Sequence, residues 1–292
     1  MKRLARETVF HSRALSSKSL AVNPARLVIV CISGYDWSSS LQDEAFLRRI
    51  QILAEQEGKS PEEYIRQFER EVVAPAREKR LHGDGRTGME KLRDRLASDL
   101  AKDGVLDTNI LHSPWSTPGN DGMNDEPHYD ALNGKISAKK PQKLVLIGHS
   151  YGGWTACRLS RVTVVRPTYM GLLDPMFSYK GWRYPIVSGP QSEHPDNYPK
   201  GGSIRSWWQD GGQPYGCRDV HKEADDGQKI RVGNHKVGGE SHMTIDDSKL
   251  LHDSIVNAMR QLLSGMTDWP DDKMREGAAP ALEDERPSKG MR

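Results

Sequence analysis

The sequence predicts a three-layer α/β protein: a mostly parallel sheet of about six strands with helices on both faces. Three observations carry this. Short apolar runs rich in β-branched residues alternate with longer segments of helical periodicity along most of the chain. The clearest runs, Leu27-Val-Ile-Val-Cys-Ile32 and Leu144-Val-Leu-Ile147, read as buried strands. The second run passes directly into Gly148-His149-Ser150-Tyr151-Gly152-Gly153 and then into a helix-compatible segment over 154–160, so a serine sits at the apex of a strand–turn–helix junction.

Bulk properties narrow the function classes. A chain of 292 residues is long enough for one large α/β domain or two small ones. A formal net charge of +2 implies no strong polyanion partner, so nucleic acid is not expected. The mean hydropathy of −0.71 is low for a globular enzyme and reflects polar stretches at both ends and in the middle. No apolar run approaches the length of a membrane span, and no transmembrane segment is expected. Of the three cysteines, Cys31 and Cys157 read as small buried apolar residues. An odd count without paired spacing argues against a disulfide framework and for a reducing compartment, so a cytoplasmic location is expected. Cys217 and His221 fall short of the roughly four ligands of a structural zinc. Neither a metal nor a cofactor is expected.

Taken in order, residues 1–25 carry Lys2, Arg3, Arg6, Arg13 and Lys18 against Glu7 and lack the apolar core of a secretory signal. They read as a flexible basic arm, with an organelle transit segment as the alternative. A strand over 25–33 ends in Ser33-Gly34-Tyr35-Asp36-Trp37. Residues 41–85 form a polar helical insertion after that first strand. Ser60-Pro61-Glu62-Glu63 marks a helix start there, with serine as N-cap and proline at the first helical position. The insertion is either a lid over the site or decoration away from it. A helix over 89–102 places Leu92, Leu96 and Leu100 on one face. A strand over 105–112, a helix over 129–136 and the elbow strand follow. Strands are then expected over 168–174, 203–208 and 229–237, with a long loop over 178–202. A helix with Leu250, Leu251, Ile255, Met259, Leu262 and Leu263 on its core face closes the domain, which runs over 26–266. Residues 267–292 read as a disordered polar tail.

The glycines of the elbow have a physical reason. A serine held at a strained backbone angle on a tight turn leaves no room for side chains on either flank. The strain points its hydroxyl out of the carboxyl edge of the sheet and places the next N–H at a helix start, where a developing oxyanion is stabilised. Here the chain resembles the α/β-hydrolase superfamily: Leu146-Ile-Gly-His-Ser-Tyr-Gly-Gly153 is close to the elbow of its lipase-like and thioesterase-like members. The resemblance spans roughly residues 26–265, but the insertion at 41–85 has no counterpart in it.

The resemblance implies a Ser-His-Asp triad in the chain order nucleophile, acid, histidine. Ser150 is the nucleophile. Of the five histidines after the elbow, His242 lies in the loop before the last helix, where the superfamily carries its base; His235 is the second choice and His252 reads as a surface or packing residue. Two acids compete. Asp174 ends the strand after the elbow helix, where proline follows it, and is favoured; Asp210 ends the next strand. Backbone N–H groups of Tyr151 and Tyr35 would form the oxyanion hole. Trp37, Trp115 and Trp154 follow strand ends or the elbow and are candidates for the acyl pocket, with core packing equally open for Trp154. The implied activity is hydrolysis of a small-molecule carboxylic ester through an acyl-enzyme. A thioesterase or acyltransferase on the same triad, and a non-catalytic binding module on the same fold, are the alternatives.

Overall fold

The sheet is wholly parallel in its six main strands, and its strand order locates the site. The computed structural model describes residues 22–35, 41, 44–56, 58–115, 128–177, 191, 195–211 and 215–265. After β1 (Leu27–Ile32) come α1 (Glu44–Gln56), α2 (Pro61–Phe68) and α3 (Ala74–His82), the last two joined through a π-helical turn over Glu69–Val73. Then follow α4 (Gly88–Leu100), β2 (Ile110–Ser113), α5 (His128–Ala138), β3 (Lys143–His149), α6 (Tyr151–Val162), β4 (Tyr169–Leu173) and β5 (Ser203–Trp208). A short hairpin, β6 (His221–Glu223) with β7 (Lys229–Arg231), precedes β8 (Gly233–Lys236) and α7 (Lys249–Leu263).

The sheet order is β2-β1-β3-β4-β5-β8, every neighbouring pair parallel. The chain leaves β1 for β2 on one side, then crosses to β3 and builds outward on the other. The order therefore reverses between β1 and β3. In open α/β sheets the crevice at such a switch point, beyond the carboxyl ends of the strands, is where ligands bind.

The apolar strand runs follow from burial on two faces. Val28, Val30, Ile32, Leu144, Leu146, Met170 and Leu172 share one apolar cluster with α5 and α6. Leu27, Ile29, Cys31, Val145, Ile147 and Leu173 share the other with α4 and α7. Truncating one such residue, Leu146 to alanine for example, would cost about 2–5 kcal/mol.

Local signals set the helix starts. Ser60 accepts from the Glu63 N–H at 3.1 Å, with Pro61 at the first helical position. Thr87 and Glu90 cap α4 reciprocally. Pro75 lacks an N–H, and the wider π turn just before it accommodates its ring.

Several boundaries differ from the sequence expectation. The strand expected over 105–112 begins only at Ile110, because residues 107–109 form a 3₁₀ turn. The strand expected over 229–237 divides into β7 and β8. At the break the Val232 N–H donates to the Val220 carbonyl at 3.1 Å, and Asn234 within β8 binds the same residue: its Oδ1 accepts from the Val220 N–H at 3.0 Å and its Nδ2 donates to the Val220 carbonyl at 3.1 Å. The expectations for residues 1–21, for Trp37, for most of the 178–202 loop and for the tail lie outside the described residues. No described helix is long and apolar enough to cross a membrane.

Candidate active site

Ser150 joins β3 to α6 at φ 56° and ψ −126°, a conformation that costs a non-glycine residue about 1–3 kcal/mol and is held here by its surroundings. Its N–H donates to the Leu173 carbonyl, and its carbonyl accepts from the N–H groups of Gly153 and Met176, each at 3.0 Å. A side chain at Gly148 would strike the Gly152 backbone, and one at Gly152 would strike Ile32 and Ser33. The two glycines thus let α6 press onto the ends of β1 and β3.

Three elements bring Ser150, His242 and Asp174 into one hydrogen-bonded chain. His242, in the loop between β8 and α7, places Nε2 2.9 Å from Ser150 Oγ and Nδ1 2.7 Å from Asp174 Oδ2. Donation from Nδ1–H to the carboxylate leaves Nε2 with a lone pair facing the serine hydroxyl. All three residues are wholly buried. Asp174 follows β4 at φ 43°, and its N–H donates to the Trp207 carbonyl at 2.6 Å. Gln209 Nε2 donates to Asp174 Oδ2 at 2.9 Å, and Gly216 packs so closely on Asp174 that a side chain there would collide with it. Met176 Sδ lies 3.5 Å from Ser150 Oγ.

Asp210, His235 and Trp154 are placed elsewhere, whereas Trp115, Tyr35 and Tyr151 stand beside the elbow. Asp210 is exposed and paired with Lys236, whose ammonium holds the carboxyl below its usual range. His235 lies on β8 beside Trp207, with ring centroids 6.4 Å apart. Trp154 faces the core from α6, where its indole N–H donates to Asn197 Oδ1 at 2.8 Å. Trp115 stacks between Tyr35 and Tyr151, with centroid separations of 6.0 and 5.4 Å. Tyr151 is the first residue of α6, and Tyr35 follows Gly34 in the turn after β1.

A second layer was not legible in the sequence. His149, the elbow residue before the serine, stacks on His242 with centroids 4.9 Å apart, and its Nε2–H donates to the His242 carbonyl at 2.9 Å. Its Nδ1 stands 3.6 Å from Asp246 Oδ2, which in turn accepts from the Gly88 N–H at 3.0 Å. His252 Nε2–H donates to the Asp246 carbonyl at 2.7 Å, so this buried histidine braces the loop that carries His242. Burial holds the His252 imidazole below its ordinary pKa. The position of His149 inside the elbow was the available signal, but nothing in its spacing to Asp246 announced the contact.

A cavity of about 300 Å³ opens beside this chain. Its wall includes Gly34, Tyr35, His149 and Met243, and Gly34 lies against Ser150: a Cβ there would stand 2.6 Å from the serine Cβ. Ala76 brings α3 into the same wall. Val72, Val73 and Ala76 share an apolar cluster with Trp115 and Tyr151, which seats the insertion beside the site. Among the described residues no group of three or more His, Cys, Asp or Glu side chains is arranged to hold a metal ion. No protein-family model matches the chain, and no curated protein is significantly similar to it.

Proposed function

We propose that the protein is a serine hydrolase of the α/β-hydrolase type that cleaves carboxylic esters. The observation that carries this reading is the buried chain Ser150–His242–Asp174, with the serine strained at a strand-to-helix turn. His242 Nε2 takes the serine proton as Ser150 Oγ attacks the acyl carbon, and Asp174 orients the imidazole and stabilises its charged form. The backbone N–H of Tyr151, at the positive end of α6, and that of Tyr35 are the proposed oxyanion donors. Water then releases the acyl group through the same base.

The test is labelling by a fluorophosphonate probe together with hydrolysis of short-chain aryl esters. The expected result is stoichiometric labelling that Ser150→Ala abolishes, with kcat lower by about 10⁴-fold or more. An intact protein that never labels would sink the hydrolase reading in favour of a non-catalytic binding module. A thioesterase uses the same three residues, and a second reading, acyl transfer to an alcohol rather than to water, is favoured by one observation. Ser150 and His242 are both wholly buried, so an acyl-enzyme there is shielded from bulk water. Partitioning of the acyl group to an added alcohol would select it, and faster turnover of acyl thioesters would select the thioesterase.

A further inference from the structure

We propose that the cavity beside Ser150 binds a neutral, hydroxylated leaving alcohol, of the size of a sugar or small polyol, and that His112 and Glu90 select it. The proposal rests on the ester-hydrolase reading and names the substrate class of that site.

The loop that carries His242 supplies part of the cavity wall, and on that ground the cavity is assigned to the leaving group. In acyl transfer from an ester, Ser150 Oγ bonds the acyl carbon while its proton passes to His242 Nε2. The bond from that carbon to the alkoxy oxygen then breaks, and the same proton moves to the departing oxygen. The alcohol must therefore sit beside His242. Met243, the next residue, and Asp246, on the same loop, both line the cavity.

Size and charge narrow the ligand: about 300 Å³ is the low end for a ligand site, which disfavours a long hydrocarbon chain. Anions are disfavoured too. Glu90 and Asp246 bring two carboxylates to the wall, and the one guanidinium there, Arg86, is already paired with Asp94. Burial holds His112 below its ordinary pKa, so it is a neutral hydrogen-bonding group at pH 7.

A specific gap accepts a hydroxyl. His112 Nε2 and Ser33 Oγ are 2.8 Å apart, and Ser33 Oγ is also 2.8 Å from Thr87 Oγ1. On its other side His112 Nδ1 stands 4.0 Å from Glu90 Oε1, too far for a direct hydrogen bond. The Glu90 charge favours the tautomer with the proton on Nδ1. A hydroxyl between them accepts from Nδ1–H and donates to the carboxylate, meeting both groups at once. Glu90 is already held by its other oxygen, which accepts from the Thr87 N–H at 2.7 Å, so the gap is fixed rather than collapsible.

The test compares two acetates with the same acyl group and a six-membered ring, glucose 6-acetate and cyclohexylmethyl acetate, on full-length protein that labels with fluorophosphonate. The expected ratio of kcat/KM is at least about tenfold in favour of the glucose ester, the scale of one net hydrogen bond. His112→Leu should bring the ratio close to one. Glu90→Gln, which keeps an acceptor for the helix cap, should lower it in a protein that still folds. A labelled wild-type protein that prefers the cyclohexyl ester, or a ratio unaltered in both variants, overturns the proposal while leaving the hydrolase reading intact. A protein that never labels removes both.

Discussion

Two aspartates stand past the carboxyl ends of neighbouring parallel strands, and the fold treats them in opposite ways. Asp174 follows β4, a strand paired on both sides, and is wholly buried against His242 and Gln209. Asp210 follows β5, whose outer neighbour is the edge strand β8, and its side chain is 45 % exposed against Lys236. The local sequences are similar: an aromatic or aliphatic strand, then an acid, then proline or glycine. The difference is depth in the sheet. The Asp174 N–H continues the ladder by donating to the Trp207 carbonyl, which drives its side chain into the crevice beneath His242. Orienting a base needs a fixed carboxylate, and here the residue directly after β4, one strand deeper in the sheet than β5, supplies it.

The largest test of this contrast is substitution of each acid. Asp174→Asn should lower kcat by about 10⁴-fold, because an amide no longer fixes the tautomer or stabilises the imidazolium. Asp210→Asn should change kcat by less than about twofold. Steady-state ester hydrolysis on both variants decides the matter, and the reverse ranking would break the assignment.

The sequence made the elbow legible because its requirements are local. Close backbone approach demands glycine at 148 and 152, and the apolar run that feeds the turn is continuous. The central strands were legible for the same reason: β1, β3 and β4 are buried and almost uniformly apolar. Asp174 and Asp210 could be ranked only by the quality of their strands, because strand order, which decides depth, is a non-local property. His149 and Asp246 escaped notice, and His252 was read only as a surface or packing residue, since their contacts join chain segments about 100 residues apart or fall within a loop of no regular period. Strands β6 and β7, of three residues each, are too short and too polar to show alternation.

A smaller effect should come from Gln209, the residue that links the two regions. Its side chain donates to the Asp174 carboxylate from the segment that leads to Asp210, and it is wholly buried. Gln209→Leu keeps the bulk and removes the donor. The expected outcome is a loss of about 1.5–3 kcal/mol in unfolding free energy, the range for a hydrogen bond to a charged group, and roughly tenfold in kcat as the carboxylate loses a restraint. Urea unfolding and hydrolysis rates measured together check this. An undisturbed kcat would mean that His242 and the backbone contacts hold Asp174 in place without the Gln209 side chain.

The smallest effect belongs to the acids at the surface, where worth is tied to charge rather than to geometry. Glu223 on β6 receives Arg161 at 2.7 Å, Lys200 at 3.1 Å and Lys229 at 3.6 Å. The hydrogen bond from Arg161, followed by that from Lys200, pulls its carboxyl down to about 2 from an ordinary 4.5. A depressed folded-state pKa means that the unfolded chain binds the proton first as pH falls. The stabilisation is therefore complete above about pH 4.5 and is lost progressively toward pH 2. Glu223→Gln should cost about 1 kcal/mol at pH 7, the scale of a solvent-accessible ion pair, and wild type and variant should converge in stability across that window. Asp210→Asn should follow the same direction, since Lys236 lowers its carboxyl likewise. A stability gap between Glu223→Gln and wild type that persists at pH 2 would mean that Glu223 acts through packing. The distinction between a buried orienting acid and charge-bound surface acids would then rest on Asp174 and Asp210 alone.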